Sequence, residues 1–131
     1  MRPGMRKVVL DASALLALLN AEKGAQVVQD LLPGAVISTV NLAEVVTRLS
    51  AAGMPDAKIR ETLSLLGLEI AVFDEEQAFL AGLLAAHTHP FGLSLGDRAC
   101  LALAEVTHAP AITADQAWVG LDVGVEIKLI R

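Results

Sequence analysis

The hydrophobic positions of the chain follow two periods. Five short runs are apolar, rich in aliphatic residues and bounded by turn residues or by helix-like stretches, which is typical of buried strands. In chain order these runs are KVVLD, AVIST, LEIAVF, PAIT and VEIKLI. The pattern predicts that each run is a strand.

The stretches between these runs carry apolar residues at helical spacing. ASALLALLN follows the first strand with no turn wide enough for a hairpin, and AEKGAQVVQDLLPG ends at Pro33 and Gly34. Further helices are predicted for NLAEVVTRLSAAG, for the segment after Pro55, and for DEEQAFLAGLLAAH and SLGDRACLALAEVTHA.

Strands therefore alternate with helices along the chain, without a linker, a repeat or a low-complexity tract. This order is typical of the α/β class. We predict a three-layer α/β/α sandwich around a mostly parallel sheet, formed by a single domain over residues 1–131.

Composition adds two constraints. The sequence is 54% hydrophobic with few aromatic residues, so the core must be aliphatic, and a small monomer cannot easily bury so much apolar material. A partner surface is therefore expected. The formal charge of −5 is unlike that of a generic nucleic-acid binder, which is usually basic.

The single cysteine and the absence of targeting signals predict a cytoplasmic protein. Cys100 excludes an internal disulfide and fits a reducing compartment. Asp11 interrupts the first apolar stretch, and the longest run without charged residues contains HTHPFG, so neither a signal peptide nor a membrane span is predicted.

Four acids occupy equivalent places along the predicted fold. Asp11 ends the first strand, and Asp115 follows the fourth. Glu44 and Asp97 are each predicted to lie in the first turn of a helix. Because ligands bind at the carboxyl ends of the strands in open α/β sheets, these acids can converge in space.

Each acid also has a structural interpretation. Ser94 and Asp97 have the spacing of a capping box, as do Asn41 and Glu44. Glu44 also precedes Arg48 by four residues, the spacing of a surface ion pair. It lies roughly opposite the apolar stripe of its helix, which is formed by Leu42, Val45, Val46 and Leu49.

Taken together, the acids favour a metal site. Two like charges about 4 Å apart cost roughly 4 kcal/mol at an effective dielectric constant near 20, so a cluster of carboxylates needs a cation or bound protons. Oxygen ligands without clustered His or Cys favour Mg²⁺, with Mn²⁺ as the alternative. Such sites cleave phosphodiesters, and the cation supplies positive charge that the protein lacks.

Four stretches resemble the successive motifs of PIN-domain ribonucleases. They are VVLDASALLALL, ISTVNLAEVVTRL, GLSLGDRACLALA and ITADQAW, and within that family they are most similar to the VapC toxins of bacterial type II toxin–antitoxin pairs. The resemblance covers nearly the whole chain in order. It implies a PIN-like fold with a catalytic centre formed by Asp11, Glu44, Asp97 and Asp115.

The resemblance also implies roles for these residues. Asp11 and Asp97 would bind the principal Mg²⁺ ion, and Glu44 and Asp115 would complete the site directly or through water. The hydroxyl groups of Ser13 and Thr113 match supporting positions. Two arginines beside the acids, Arg48 and Arg98, are candidates for RNA phosphate contacts, with surface ion pairing as the alternative.

The function implied is that of a Mg²⁺-dependent endoribonuclease that leaves 5′-phosphate and 3′-hydroxyl ends. A cognate VapB-like antitoxin would hold it inactive, and a homodimer would cover part of the surplus apolar surface. One alternative is a PIN-like RNA-processing nuclease without a toxin role. A phosphatase with an aspartyl nucleophile is a weaker alternative, since its second acid would stand at position 13, where the chain has Ser13. A non-catalytic binding module, whose acids only cap helices, would show no stability response to Mg²⁺.

Overall fold

Five short parallel strands form one sheet in the computed structural model, which describes residues 6–131. The strand order is β3-β2-β1-β4-β5, and all four pairings are parallel. The strands are β1 (Val8–Leu10), β2 (Ala35–Ser38), β3 (Glu69–Ala71), β4 (Ala111–Thr113) and β5 (Ile127–Leu129). All five predicted strands are therefore confirmed.

The six predicted helices are also present within the described residues. They are α1 (Ala12–Leu19), α2 (Ala25–Leu31), α3 (Thr39–Ala51), α4 (Asp56–Ser64), α5 (Glu75–Thr88) and α6 (Leu95–Thr107), with short 3₁₀ turns at Leu32–Gly34, His89–Phe91 and Gln116–Trp118.

The second helix begins four residues later than its predicted first residue. Gly24, at its N-terminal cap, has a φ of 96° and lies against Ile130, whose side chain would be 2.8 Å from a Cβ atom at this position. A left-handed residue in such close contact interrupts the helix, and glycine is the residue that tolerates both conditions.

The core lies on both faces of the sheet, as the three-layer prediction requires. In β1, Val8 and Leu10 pack into an apolar cluster with α1 to α4, while Val9 packs into a second cluster with α6. This alternation follows from the period of a strand, in which successive side chains point to opposite faces. Trp118, 1% exposed, belongs to the second cluster.

One predicted helix face needs correction. In α3 the buried residues are Asn41, Val45 and Leu49, whereas Val46, which was predicted to be part of the apolar stripe, is 36% exposed. Three residues at four-residue spacing define this face, and an amide side chain occupies one end of it. Periodicity of apolar residues could not detect a buried polar position.

The strand order brings β1 and β4 together although β2 and β3 lie between them in the chain. The connections that leave β1 and β4 start at the same edge of the sheet, at the point where the strand order reverses. This is the crevice in which open α/β sheets bind ligands. Asp11 directly follows β1, and Asp115 lies two residues after β4. None of the helices in residues 6–131 has the length and apolar character needed to cross a membrane.

Candidate active site

Asp11 is a buried carboxylate at the junction between β1 and α1. Only 4% of its surface is exposed. Its Oδ1 accepts hydrogen bonds from the Ala14 amide at 2.8 Å and the Ser13 hydroxyl at 2.7 Å, and its Oδ2 accepts one from the Thr113 hydroxyl at 2.5 Å. Asp11 is thus the N-cap of α1 and a link between β1 and β4.

The hydroxyl groups of Ser13 and Thr113 extend this hydrogen-bond network to the neighbouring strand β4. They lie 3.2 Å from each other. Ser13 Oγ accepts a hydrogen bond from the Ala114 amide at 2.9 Å, and Thr113 Oγ1 accepts one from the Asp115 amide at 3.0 Å. Both predicted supporting residues therefore contact Asp11, and together they fix the position of the chain that carries Asp115.

Asp97 lies in the first turn of α6 and takes part in the predicted capping box. Its Oδ2 accepts a hydrogen bond from the Ser94 amide at 3.0 Å, while the Ser94 hydroxyl accepts one from the Asp97 amide at 3.1 Å. The half-buried Asp97 side chain is held by local hydrogen bonds at the end of the helix that packs under the sheet.

Glu44 lies in the second turn of α3, because the helix begins at Thr39 rather than at Asn41 as predicted. The N-cap is Ser38, whose side chain accepts a hydrogen bond from the Val40 amide, so the predicted capping box of Asn41 and Glu44 is wrong. Instead, Asn41 Nδ2 donates to Glu44 Oε1 at 2.9 Å. Within residues 6–131, no ion pair joins Glu44 to Arg48.

Asn41 and Gly96 bring Glu44 to the start of α6. The same Asn41 Nδ2 donates to the Gly96 carbonyl at 3.0 Å. A Cβ atom built on Gly96 would collide with both carboxylate oxygens of Glu44 and would lie 2.6 Å from its Cδ. The carboxylate of Glu44 therefore rests on the backbone of the residue that precedes Asp97.

Asp115 approaches from the β4 side. Its Oδ1 accepts a hydrogen bond from the Ala117 amide at 2.9 Å, which makes it the N-cap of the turn Gln116–Trp118. Its side chain is exposed. Asp115 therefore combines a local capping role with a position at the same sheet edge as Asp11.

All four acids line one pocket, with a volume of about 730 Å³. Arg48 and Arg131 also contribute to its walls, as do Leu16, Leu49 and other residues of α1 and α3. Arg98 does not line this pocket: its guanidinium donates to the Ala81 carbonyl of α5 at 2.8 Å. Arg131 donates to Glu22 at 3.3 Å and to the Lys23 carbonyl at 3.1 Å.

The electrostatics of the site show that the acids influence one another. Burial raises the pKa of Asp11 from an ordinary value of 3.8 to about 6, the hydrogen bonds from Thr113, Ala14 and Ser13 oppose this rise, and the negative charge of Asp97 adds to it. Burial also raises the pKa of the Cys100 thiol, and the charges of Asp11, Asp97 and Glu44 raise it further. The charges of three of the four acids thus reach one buried thiol, in the helix that carries Asp97.

The donor set suits a hard cation. Among the described residues, each of Glu44, Asp97 and Asp115 has one oxygen in a hydrogen bond and one without a protein partner. Ionised carboxylates with free lone pairs are ligands that Mg²⁺ and Mn²⁺ prefer. Within residues 6–131, however, no three acidic, His or Cys side chains stand close enough to form a complete ligand set.

Three residues of the site were missed as functional candidates from the sequence. Asn41 was interpreted only as part of a cap, although its spacing to Glu44 is what places the two side chains on adjacent turns. Gly96 carried a usable signal, since a glycine inside a helical pattern often has a packing reason. Arg131 had no local signal, because only the fold brings β5 beside the loop that follows α1.

Comparisons with known proteins show the family to which the chain belongs. The profile of the PIN domain family matches residues 8–123. A protein named VapC ribonuclease from Mycobacterium bovis is 29% identical over 115 residues, which cover 80% of this chain and 88% of that protein. A protein named Ribonuclease VapC42 from Mycobacterium tuberculosis has the same identity and coverage.

Solved structures extend the likeness to the whole fold. The chain is similar to one in the DNA-bound VapBC structure from Salmonella typhimurium, with a TM-score of 0.76, 17% identity, and 97% of this chain and 100% of the other covered. It is also similar to a chain of VapBC-5 from Mycobacterium tuberculosis, with a TM-score of 0.62, 25% identity, and coverage of 97% and 98%.

The raised pKa of Asp11 predicts how the stability of the metal-free protein depends on pH. Because the folded state holds this proton more tightly than the unfolded state, its contribution to stability is complete below about pH 4 and is lost as the pH rises through about 6. Asp11→Asn removes this dependence. The free energy of unfolding of wild type relative to Asp11→Asn should fall by about 3 kcal/mol over that range, since one pKa unit corresponds to about 1.4 kcal/mol.

Urea denaturation in EDTA at a series of pH values measures this difference. The exposed residue Asp122 provides the control, and Asp122→Asn should follow the wild-type profile. Parallel profiles for wild type and Asp11→Asn would contradict the interpretation of Asp11 as a carboxylate destabilised by burial.

Proposed function

The chain belongs to the PIN domain family, and from this premise we propose that it is a metal-dependent endoribonuclease that acts as the toxin of a toxin–antitoxin pair. The observation that carries the proposal is the pocket into which Asp11, Glu44, Asp97 and Asp115 all project from different elements. The names of the similar proteins, VapC ribonuclease and Ribonuclease VapC42, support the same activity.

Mg²⁺ is the proposed cofactor, with Mn²⁺ as an alternative that the same oxygen ligands accept. Asp11 and Asp97 would hold the ion, and Glu44 and Asp115 would complete its coordination directly or through water. A divalent ion in such a site supplies Lewis-acid stabilisation of charge on the phosphate and lowers the pKa of water. The cleavage proposed is hydrolysis that leaves 5′-phosphate and 3′-hydroxyl ends.

The surrounding residues orient these ligands. Three hydrogen bonds, from Ser13, Ala14 and Thr113, leave the Asp11 carboxylate little freedom to rotate. Asp97 is restrained by its hydrogen bond from the Ser94 amide. Supporting hydrogen bonds of this kind hold ligands in the orientation that a metal requires. Capping and metal binding are therefore compatible roles for the same carboxylate.

Contact with the RNA backbone is proposed for the arginines of the pocket wall. Arg48 lies on α3 beside the acids, and Arg131 is held at the rim by Glu22. Guanidinium groups bind phosphate oxygens through paired hydrogen bonds. The protein carries a formal charge of −5, so these two side chains and the bound cation would supply the positive potential that RNA needs. Arg98, which is committed to the Ala81 carbonyl, is a weaker candidate.

Protein partners are proposed for the exposed apolar surface. Leu65, Val72, Phe79 and Leu83 are each at least 66% exposed. A separate groove of about 420 Å³ lies between α3, α4 and β3, and its apolar lining residues are Leu42, Val46, Ile59, Leu63, Leu68 and Ile70. Surfaces of this kind mark protein interaction sites. We propose that a VapB-like antitoxin and a second copy of the chain cover them, and that the complex is cytoplasmic.

A toxin can be distinguished from a PIN-like RNA-processing nuclease by its effect on cells. Induced expression of the wild-type chain in a bacterial host should arrest growth, because a free endoribonuclease depletes its RNA targets. Expression of Asp97→Asn to the same level should not arrest growth. Normal growth with active wild-type enzyme present would favour the processing nuclease.

RNA cleavage by the purified protein tests the catalytic proposal. Asp97→Asn keeps an oxygen that can accept the Ser94 amide hydrogen bond, so the capping box and the fold should survive, but one negative ligand is lost. Cleavage should fall by more than about 10-fold, because even the loss of a residue that only supports a metal ligand costs about 10- to 100-fold. EDTA should abolish wild-type cleavage.

The control for this substitution is an acid outside the pocket. Asp30 is exposed on α2, and among residues 6–131 it pairs only with Gln26, so Asp30→Asn should cleave RNA at the wild-type rate. Thermal melting of all three proteins in EDTA checks that Asp97→Asn remains folded. Equal cleavage by wild type and folded Asp97→Asn, with Mg²⁺ and with EDTA, would exclude the proposed site.

A further inference from the structure

Glu44 is the one glutamate among the four site acids, and its longer side chain stands on an exposed position of α3. Asp11, Asp97 and Asp115 are each fixed by hydrogen bonds to backbone amides near them in sequence. Glu44 receives its hydrogen bond from a side chain instead, Asn41 Nδ2 at 2.9 Å. Its position therefore depends on residues that carry no charge and that the PIN-type acidic centre does not include.

The contacts of the Asn41 side-chain amide suit it to position the Glu44 carboxylate. Asn41 is 1% exposed, and both groups that its Nδ2 contacts, Glu44 Oε1 and the Gly96 carbonyl, can only accept hydrogen bonds. The orientation of the amide is therefore determined. Its Oδ1 is buried without a protein partner among residues 6–131. A buried acceptor without a hydrogen bond, such as Asn41 Oδ1, lowers the stability of the fold. An apolar side chain would avoid this cost, so packing alone does not explain an asparagine at this position.

Gly96 provides the space in which Glu44 rests. It lies inside α6 and is buried, and its backbone is not in the left-handed region that requires glycine. Alanine would be a better helix former at such a position. What excludes a larger residue is Glu44, because a Cβ atom on Gly96 would collide with both oxygens of its carboxylate.

We propose that Asn41 and Gly96 are positioning residues that hold the Glu44 carboxylate against the first turn of α6, beside Asp97, in the orientation needed for metal binding. Asn41 fixes the carboxylate by hydrogen bonding and also ties α3 to α6 through the Gly96 carbonyl. Gly96 admits the carboxylate to the helix surface. The inference rests on the proposed metal-dependent function and adds to it two residues that act through Glu44.

Gly96→Ala is the most informative variant, because it should separate positioning from stability. The new methyl group meets the end of a flexible, exposed side chain, so Glu44 can swing away without disrupting the fold. Isothermal titration calorimetry of the purified full chain with Mn²⁺ should show a dissociation constant raised about 10- to 100-fold. The melting temperature in EDTA should equal or exceed that of wild type.

The matched control is Gly82→Ala in α5. Gly82 is also a helical glycine, but nothing lies within 4 Å of a Cβ atom built on it. This variant should also keep or raise the melting temperature in EDTA, while its Mn²⁺ dissociation constant stays at the wild-type value. A weakened Mn²⁺ affinity in Gly82→Ala as large as that in Gly96→Ala would overturn the inference.

A second pair of variants tests Asn41. Asn41→Ala should weaken Mn²⁺ binding about 10- to 100-fold. Val45→Ala, at the next buried position of the same helix face, should lower the melting temperature but leave the Mn²⁺ affinity unchanged. If the two variants weaken Mn²⁺ binding equally, Asn41 has only a structural role and the inference is wrong for it.

Combination with Glu44→Gln identifies the residue through which the positioning acts. If Asn41 and Gly96 work through Glu44, either substitution should change the Mn²⁺ affinity of a Glu44→Gln protein by less than about 2-fold, since interacting residues are not additive. Fully additive losses would overturn the inference. If wild type itself binds no Mn²⁺, the proposed function fails and the inference with it. If wild type binds Mn²⁺ and folded Gly96→Ala binds it equally well, the function stands and the role of Gly96 is refuted.

Discussion

The buried carboxylate of Asp11 is the interaction on which both the fold and the site depend. It directly follows β1, caps α1 and accepts a hydrogen bond from Thr113 at the end of β4, so it joins three elements at the point where the strand order reverses. Burial raises its pKa to about 6 in spite of three hydrogen bonds. A group held at such a cost to stability is more typical of a functional site than of a helix cap, which an exposed aspartate could provide.

Two of the other acids, Asp97 and Asp115, are held in the pocket in the same way. Asp97 and Asp115 each use one carboxylate oxygen to accept a backbone amide and leave the other without a partner in the described part of the chain. In the proposed metal site, the capping hydrogen bond would therefore also orient the free oxygen as a ligand. Within residues 6–131, Glu44 accepts no hydrogen bond from a backbone amide. The side-chain amide of Asn41 on α3 and the space at Gly96 on α6 position it instead. Three of the four acids therefore lie at the start of a helix or 3₁₀ turn, where backbone amides hold them. Glu44 is the exception, and other residues position its carboxylate.

The sequence predicted the architecture because strands and helices differ in the period of their apolar residues, and the PIN resemblance placed the four acids along it. Periodicity failed where a polar residue is buried: Asn41 lies on the buried face of α3, whereas Val46, which the predicted apolar stripe included, is 36% exposed. It also failed at contacts between elements distant in the chain. Asn41 and Gly96 are 55 positions apart in the chain, and only the packing of α3 on α6 creates the hydrogen bond between them.

The central claim is that carboxylates from four separate elements converge on one divalent cation. Anomalous diffraction from a crystal soaked in Mn²⁺ measures this most directly. The account predicts a peak in the pocket within about 2.5 Å of oxygens from both Asp11 and Asp97, the distance range of direct coordination by carboxylates. A fully occupied Mn²⁺ site elsewhere, with no peak in contact with Asp11 or Asp97, would contradict it.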